Sequence, residues 1–305
     1  MINGVINIYK ERGFTSHDVV AKLRGILKQK KIGHTGTLDP DAEGVLPVCL
    51  GKGTRLCDML TDHSKVYEAV LLLGQSTDTQ DVSGNVLQEA PVDVSEEKVR
   101  EAIMSFLGPY DQIPPMYSAL KVNGKKLYEL ARAGKEVERQ ARHVDLPAIE
   151  ILEIRLPVVK FRVECSKGTY IRSLCADIGG KLGCGGTMQS LVRTRVGEFR
   201  LADALTLTQL QALRDTDRLE EALLPTDRIF ADFNAVHVEE KWRKLIDNGN
   251  AFYPGQTMEQ TTYPAGEWVR VYREDDSFVG IYAYDGVKEW YKPMKIFPSN
   301  TESRK

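Results

Sequence analysis

One aspartate stands apart in this sequence. The stretch "KIGHTGTLDPDAEGVLPVCLGKGTRL", residues 31–56, sets Asp39 directly before Pro40 in a run of glycines and hydroxyl residues. A carboxylate held rigidly in such a segment can act as a nucleophile, bonding covalently and later leaving. It can equally cap its own backbone in a surface turn, the commoner use of Asp in this company. Asp41 and Glu43 are its local competitors, read here as solvated. The window alone leaves both readings open.

Other chemistries find little support. "GHTG" at residues 33–36 has the form of the GxxG loop of KH domains, but that loop joins two helices, and a proline-containing loop follows here. "GKGTRL" lacks the GxxxxGK[ST] frame of a phosphate loop. His17, His34, His63, His143 and His237 show no HxxxH or HxH spacing, so no metal site is expected. The five cysteines are scattered and contain no CxxC pair, which argues for reduced thiols in a cytoplasm. No Gly-x-Ser-x-Gly elbow or Cys/His pairing points to a hydrolase.

The elements that must position Asp39 can be read from periodicity. Ser16 as N-cap, followed by Val20, Leu23 and Leu27, predicts a helix before the Asp39 segment. Gly33, Gly36, Pro40, Gly44 and Pro47 make that segment a loop. "KVYEAVLLLG" reads as a strand buried on both faces and ending at Gly74. "TDTQDVSGNV" is turn-rich, and "VSEEKVREAIMSFLG" is a helix capped by Ser95 and stopped by Gly108. "QIPPMYSALKVNGKKLYELARAG" has an extended entry and ends in a short helix stopped by Gly134. In "VVKFRVEC", Phe161, Val163 and Cys165 alternate with polar residues, a half-buried strand. "SKGT" then turns the chain into a helix whose apolar face is Ile171, Leu174, Cys175, Ile178 and Leu182. That order places Tyr170 and Arg172 near the helix N-terminus.

Residues 215–232 are acidic, contain Pro225, and read as the link to a smaller unit. Beyond them a short helix around Trp242 stops at Gly249, and the short runs "WVRVY", "FVGIYAY" and "WYKPMKIF" suggest a compact β-barrel of the RNA-binding kind. The tail "SNTESRK" is expected to be disordered. No signal-peptide pattern or apolar stretch near the ~20 residues of a membrane span is present, so a soluble cytoplasmic protein is expected, with no membrane partner.

The 305 residues carry a formal net charge of −2, which by itself predicts no polyanionic partner. The charge is segregated, however. Residues 22–31 hold five bases and no acid, residues 121–142 seven bases against three acids, and residues 167–200 six against two. A basic face can therefore exist on a nearly neutral chain, although such runs are usually solvated helix faces.

A family resemblance joins these features. "GHTGTLDPDAEGVLPVCLGKGTRL" closely resembles the signature loop of the bacterial tRNA pseudouridine-55 synthases, the TruB family. "SKVYEAVLLLGQSTDTQDVSG", "QIPPMYSALKVNGKKLYELARAG" and "CSKGTYIRSLCADIGGKLGCGGTMQSLVRTRVGEF" resemble the later blocks, in the same order, and the likeness spans residues 4–205. The C-terminal part is similar to a PUA-like RNA-binding domain, on looser motifs.

The resemblance implies an α/β (α+β) fold: a mixed, largely antiparallel sheet flanked by helices, plus a small C-terminal PUA-like β-barrel. It implies a catalytic domain over residues 1–232 and an RNA-binding domain over residues 233–305. The implied reaction isomerises the uridine at position 55 in the T-arm of tRNA, needing no cofactor. Asp39 falls on the family's nucleophile and Arg172 on its partner arginine. Tyr67 and Tyr170 fall on the active-site tyrosines, Leu191 on the leucine lining the pocket, and His34 on the histidine that enters the T-loop stack. The basic segments at residues 22–31, 121–142 and 193–200 would hold phosphates. An RNA-binding protein without catalysis and a guide-dependent synthase of ribonucleoprotein particles are the alternatives. The nearness of the first block to the N-terminus favours a stand-alone enzyme with no obligatory protein partner.

Overall fold

The computed structural model describes residues 1–122 and 124–297; the tail expected to be disordered lies outside the described residues. The chain begins with β1 (Gly4–Lys10), α1 (Ser16–Leu27), β2 (Ile32–His34), β3 (Glu43–Leu50), α2 (Cys57–Asp62) and β4 (Lys65–Leu73). A hairpin of β5 (Gln75–Thr77) and β6 (Val86–Glu89), then α3 (Glu96–Met104) and β7 (Gly108–Gln112), follow. Next come β8 (Lys121–Val122), β9 (Lys125–Lys126), α4 (Leu127–Arg132), β10 (Arg142–Leu146), β11 (Ala148–Arg155) and β12 (Val158–Cys165). The central region closes with α5 (Ile171–Leu182), β13 (Gly186–Val196), β14 (Phe199–Arg200) and α6 (Leu207–Asp215). The last part holds β15 (Asn234–Val238), α7 (Arg243–Asp247), β16 (Trp268–Arg273), β17 (Phe278–Asp285) and β18 (Trp290–Ile296).

Eight strands form one sheet in the order β1-β3-β13-β4-β12-β11, with β2 on β3 and β14 on β13. All neighbours are antiparallel except β13 and β3, which touch in parallel over only two pairs, Val192 with Glu43 and Arg193 with Gly44. The expected mixed, largely antiparallel sheet with flanking helices is therefore present.

Alternation decides which face each strand buries. In β4, Tyr67, Ala69, Leu71 and Leu73 face inward, and the intervening residues are only half-buried. The expectation of burial on both faces fails for β4 and holds instead for β3, whose residues 44–50 are all buried. The inner face of β4 and β12 packs on α3 and α5 through Phe161, Val163, Leu174, Cys175, Ile178, Val99 and Ile103. One side of β1 and β3 (Ile6, Ile8, Leu46, Val48) packs on Val19, Val20 and Leu23 of α1 and Leu210 of α6.

Two local expectations need correction. Thr15, not Ser16, caps α1: its hydroxyl accepts from Asp18 N–H while Asp18 reaches back to the Thr15 N–H, which frees Ser16 to turn inward. The loop read across residues 33–47 is narrower than expected: residues 35–42 are irregular, and both flanks belong to β2 and β3. Pro47 lies inside β3, where its missing N–H ends the pairing with β2 at His34; its carbonyl still accepts from Thr35 N–H at 3.1 Å.

The acidic residues 215–232 are not a free linker. Leu224 exchanges backbone hydrogen bonds of 2.8 Å with Val5, and Phe230 is buried. Beyond them, β15-β16-β17-β18 form a separate four-stranded sheet, with β15 parallel to β16. The short β15 had not been read from the sequence. Ile281 and Phe297 of this unit share a core with Val5, Val45, Cys49, Leu60 and Phe230, so the second sheet covers the far side of β1 and β3.

The sparse parallel contact depends on Gly44. Its φ is +105°, and a Cβ there would lie 2.2 Å from the Arg193 carbonyl oxygen. Gly134 has a comparable φ of +67° but open space around it. Gly44→Ala should cost at least ~3 kcal/mol and Gly134→Ala only ~1 kcal/mol, measured by urea unfolding. Equal costs would mean that the backbone angle, not the close approach of β13, fixes Gly44.

Candidate active site

The Asp39 loop is tied down on both sides. Leu38 N–H donates to Ser16 Oγ at 3.0 Å, and Ala42 N–H closes a turn on the Asp39 carbonyl at 3.1 Å. The Pro40 carbonyl accepts from Gly13 N–H at 2.9 Å and from Lys10 Nζ at 3.0 Å. Leu38 and Ala42 bury their side chains against Tyr67, Ile171 and Leu191. The Asp39 carboxylate between them is 41% exposed.

Arg172, two residues into α5, meets that carboxylate at two points: Nε lies 2.9 Å from Oδ2, and Nη2 donates to Oδ1 at 3.4 Å. The guanidinium is otherwise enclosed, with a side chain only 5% exposed. Nη1 donates to the Thr79 carbonyl at 2.8 Å and lies 3.7 Å from Asp81 Oδ2, while Nη2 also donates to the Tyr117 carbonyl at 3.0 Å. Such a planar fork fixes the plane of the carboxylate it holds. Thr79, Asp81 and Tyr117 lie in segments read only as turn and extended chain. No spacing in the sequence marks them, since each meets Arg172 from more than fifty residues away.

Tyr67, Tyr170 and Leu191 gather at the same place. Tyr67 is buried in β4, and Leu191 of β13 lies in register with Ala69 on the same face. Burial pushes the Tyr67 phenol above its ordinary range, and the neighbouring Arg193 guanidinium opposes that shift. Tyr170 caps α5 and is half-buried; burial raises its phenol, against the pull of Ser118, Arg142 and Arg172. Gln112, buried on β7, clamps its backbone by accepting from Tyr170 N–H at 2.7 Å and donating to its carbonyl at 2.9 Å. Gln112 was not recognised from sequence either.

His34 stands apart from the Asp39–Arg172 pair, at the other end of the loop. Its ring meets His17 of α1 edge-on at 5.4 Å. Burial, then His17 and Arg193, push its pKa down and favour the neutral ring. Asp41 is exposed and pairs with Arg12 at 3.4 Å, and Glu43 accepts from Tyr9 Oη at 3.1 Å.

One expectation fails here. Arg193 was grouped with bases that would hold phosphates, yet it is only 1% exposed, because β13 turns it to the inner face with Leu191. Arg195 instead points outward and pairs with Glu164 at 2.7 Å. It lines a surface recess of about 410 Å³ with Arg162, Arg200, Glu150 and Glu164, which contains none of the residues around Asp39.

The assembled chemistry is a half-exposed carboxylate oriented by a buried cation, with two phenols and an aliphatic wall beside it. That suits covalent catalysis on a planar ring. Residues 24–171 match the family described as TruB family pseudouridylate synthase (N terminal domain), and residues 172–231 match the tRNA pseudouridylate synthase B C-terminal domain. The chain is 53% identical to tRNA pseudouridine synthase B of Lachnoclostridium phytofermentans, over 97% of this chain and 100% of that protein. It is 49% identical to the protein of the same name from Alkaliphilus oremlandii, over 92% of each. Among solved structures, it resembles a chain of an H/ACA RNP bound to a substrate RNA containing 2′-deoxyuridine. There the TM-score is 0.72 and the identity 27%, over 98% of this chain and 86% of that one. A chain of a Cbf5-Nop10-Gar1 complex gives a TM-score of 0.71 and 30% identity, over 97% and 85% respectively.

Lys10 offers a test of the loop anchor. Burial lowers its pKa from an ordinary 10.5 to about 8, despite the attraction of Glu43, Asp39 and Asp41. Between those values the unfolded chain holds a proton that the folded chain has released, so Lys10 makes stability rise with pH across that window. Urea-unfolding free energies of wild type minus Lys10→Met should therefore climb from pH 7.5 to 10.5, by up to ~3 kcal/mol. A flat difference would mean that the amine stays charged throughout.

Proposed function

The chain belongs to the TruB family of pseudouridylate synthases and isomerises uridine to pseudouridine in tRNA; from that premise we propose that its target is the uridine at position 55 of the T-arm and that Asp39 is the nucleophile. The reaction breaks the N1–C1′ bond, turns the base and joins C5 to C1′; C5 gives up its proton to solvent and N1 takes one up, so the atoms balance. The observation that carries the assignment is the two-point contact of Arg172 with a carboxylate that remains 41% exposed. A carboxylate in that position is oriented, paired and open to a nucleotide.

The other residues take roles around it. A stacked uridine must swing out to reach Asp39, at a cost of a few kcal/mol. His34, neutral and planar, fills the gap in the loop stack. Tyr67 and Tyr170 bracket the extruded nucleotide, and Leu191 forms the apolar wall. Asp81 supports Arg172 from the side away from Asp39. Lys28, Lys30 and Lys31, together with the bases of residues 121–142, hold phosphates, an attraction that weakens with salt. Residues 1–232 form the catalytic domain and residues 233–305 a PUA-like RNA-binding domain. The chain works in the cytoplasm as a stand-alone enzyme on free tRNA, without a guide RNA or obligatory protein partner.

Tritium release from a T-arm stem-loop carrying 5-tritiated uridine, with purified protein alone, should detect turnover. No release from the bare stem-loop, with release restored by a guide ribonucleoprotein, would favour the guide-dependent reading. Asp39→Asn should abolish release while leaving stem-loop binding within about tenfold; measurable turnover by that variant would reject Asp39 as nucleophile. Arg172→Lys, which keeps the charge but not the fork, should lose ~100-fold in rate. A rate near wild type would remove Arg172 from the reacting group.

A further inference from the structure

Arg193 is a fully buried cation that the roles above leave unexplained. Nε donates to the Val45 carbonyl at 2.7 Å and Nη2 to the Gly36 carbonyl at 3.3 Å. It forms no ion pair with a carboxylate among the described residues. A guanidinium stays charged at any pH the fold survives, and burying one unpaired is costly. Its location is specific. Arg193 lies in register with Tyr67 of β4 on one side and with Gly44 of β3 on the other, where β3 and β13 pair in parallel. The irregular register after Arg193 turns Arg195 outward, so Leu191 and Arg193 share the face that holds Tyr67. Gly36, at φ +80°, lies beside the fork: a Cβ there would be in ordinary van der Waals contact with Nη1, at 3.6 Å.

Resting on the assignment of Asp39 and Tyr67 to the reaction, we infer that Arg193 is a positioning residue: it pins the nucleophile loop through the Gly36 carbonyl and presents the rest of its guanidinium to the Tyr67 phenol, aiming that oxygen at the nucleotide and stabilising it when negatively charged. One cation thereby couples the loop carrying Asp39 to the strand carrying Tyr67. The groups acting on the phenol are Arg193 from β13, Cys165 from β12 and Asp39 from the loop. Of these only Arg193 is a permanent cation.

The test places 3-fluorotyrosine at position 67 and follows its ¹⁹F resonance against pH in wild type, R193K, R193M and the outward control R195M. R193M should raise the Tyr67 ionisation midpoint by at least one pH unit and lower kcat on the stem-loop at least tenfold, with KM within threefold. R193K should recover the midpoint to within half a unit, and R195M should match wild type. An unmoved midpoint in a folded R193M would reduce Arg193 to a structural pin and overturn the inference. Should R193M fail to fold, the Arg193 Nε–H resonance of the unsubstituted protein provides the second measurement. It should shift with the same midpoint as Tyr67, and independent behaviour of the two would overturn the inference. The titrations need no RNA, so an enzyme without turnover on the T-arm would refute the substrate assignment and leave this result standing.

Discussion

A single guanidinium holds three distant parts of this chain in register. Arg172 is nearly inaccessible, and its N–H groups reach the Asp39 carboxylate, the Thr79 and Tyr117 carbonyls and the neighbourhood of Asp81. Pulling those partners away would leave the enclosed guanidinium without compensation, which a site of low solvent access penalises. The Asp39 loop, the turn after β5 and the chain before α4 therefore cannot drift apart without exposing a cation. Asp39 and Arg172 are 133 residues apart in sequence, and the sheet between them converts that separation into a 2.9 Å contact.

The sheet does this by being incomplete. β3 and β13 run side by side for two residue pairs only, and the chain entering β3 is the Asp39 loop. A side chain at Gly44 would force these strands apart at the seam. Glycine there lets the backbone of β13 come directly against β3, below the loop. The carboxylate is thus supported from beneath by main chain and buried cations, and its open side faces outward. Such support is set before any substrate arrives, which is what electrostatic preorganisation requires.

What the sequence disclosed follows the range of the interactions concerned. Local patterns were legible: the alternation of Phe161, Val163 and Cys165, the apolar stripe of α5, and the Ser95 cap all depend on neighbours a few residues away. The cap of α1 was misassigned by one position although Asp18, three residues after Thr15, stands at capping-box spacing; Ser16 instead turns inward, where its Oγ accepts from the Leu38 N–H. Asp39 and Arg172 were reached through four ordered blocks resembling a family, not through spacing. Gln112, Asp81 and the Tyr117 carbonyl were invisible, since a glutamine side chain or a main-chain carbonyl gains meaning only from what the fold brings against it. Arg193 was misread for a related reason. A base in a basic run looks solvated until the irregular register of β13 is known.

On the RNA-binding role proposed for it, the C-terminal sheet bears on how binding energy reaches the reacting base. Its residues Ile281 and Phe297 belong to the same apolar core as Val5, Val45 and Cys49, on the side of β1 and β3 opposite α1. Cutting the chain at residue 232 would strip that core from the strands that carry the Asp39 loop, so this unit is part of the platform and not a tethered accessory. A flexible tether could raise local RNA concentration but could not orient the nucleotide. A fixed second surface can do both, because contacts made far from the uridine constrain its placement at the carboxylate. On that argument, loosening the packing of Phe297 or Ile281 should disturb catalysis through geometry even though neither residue approaches Asp39.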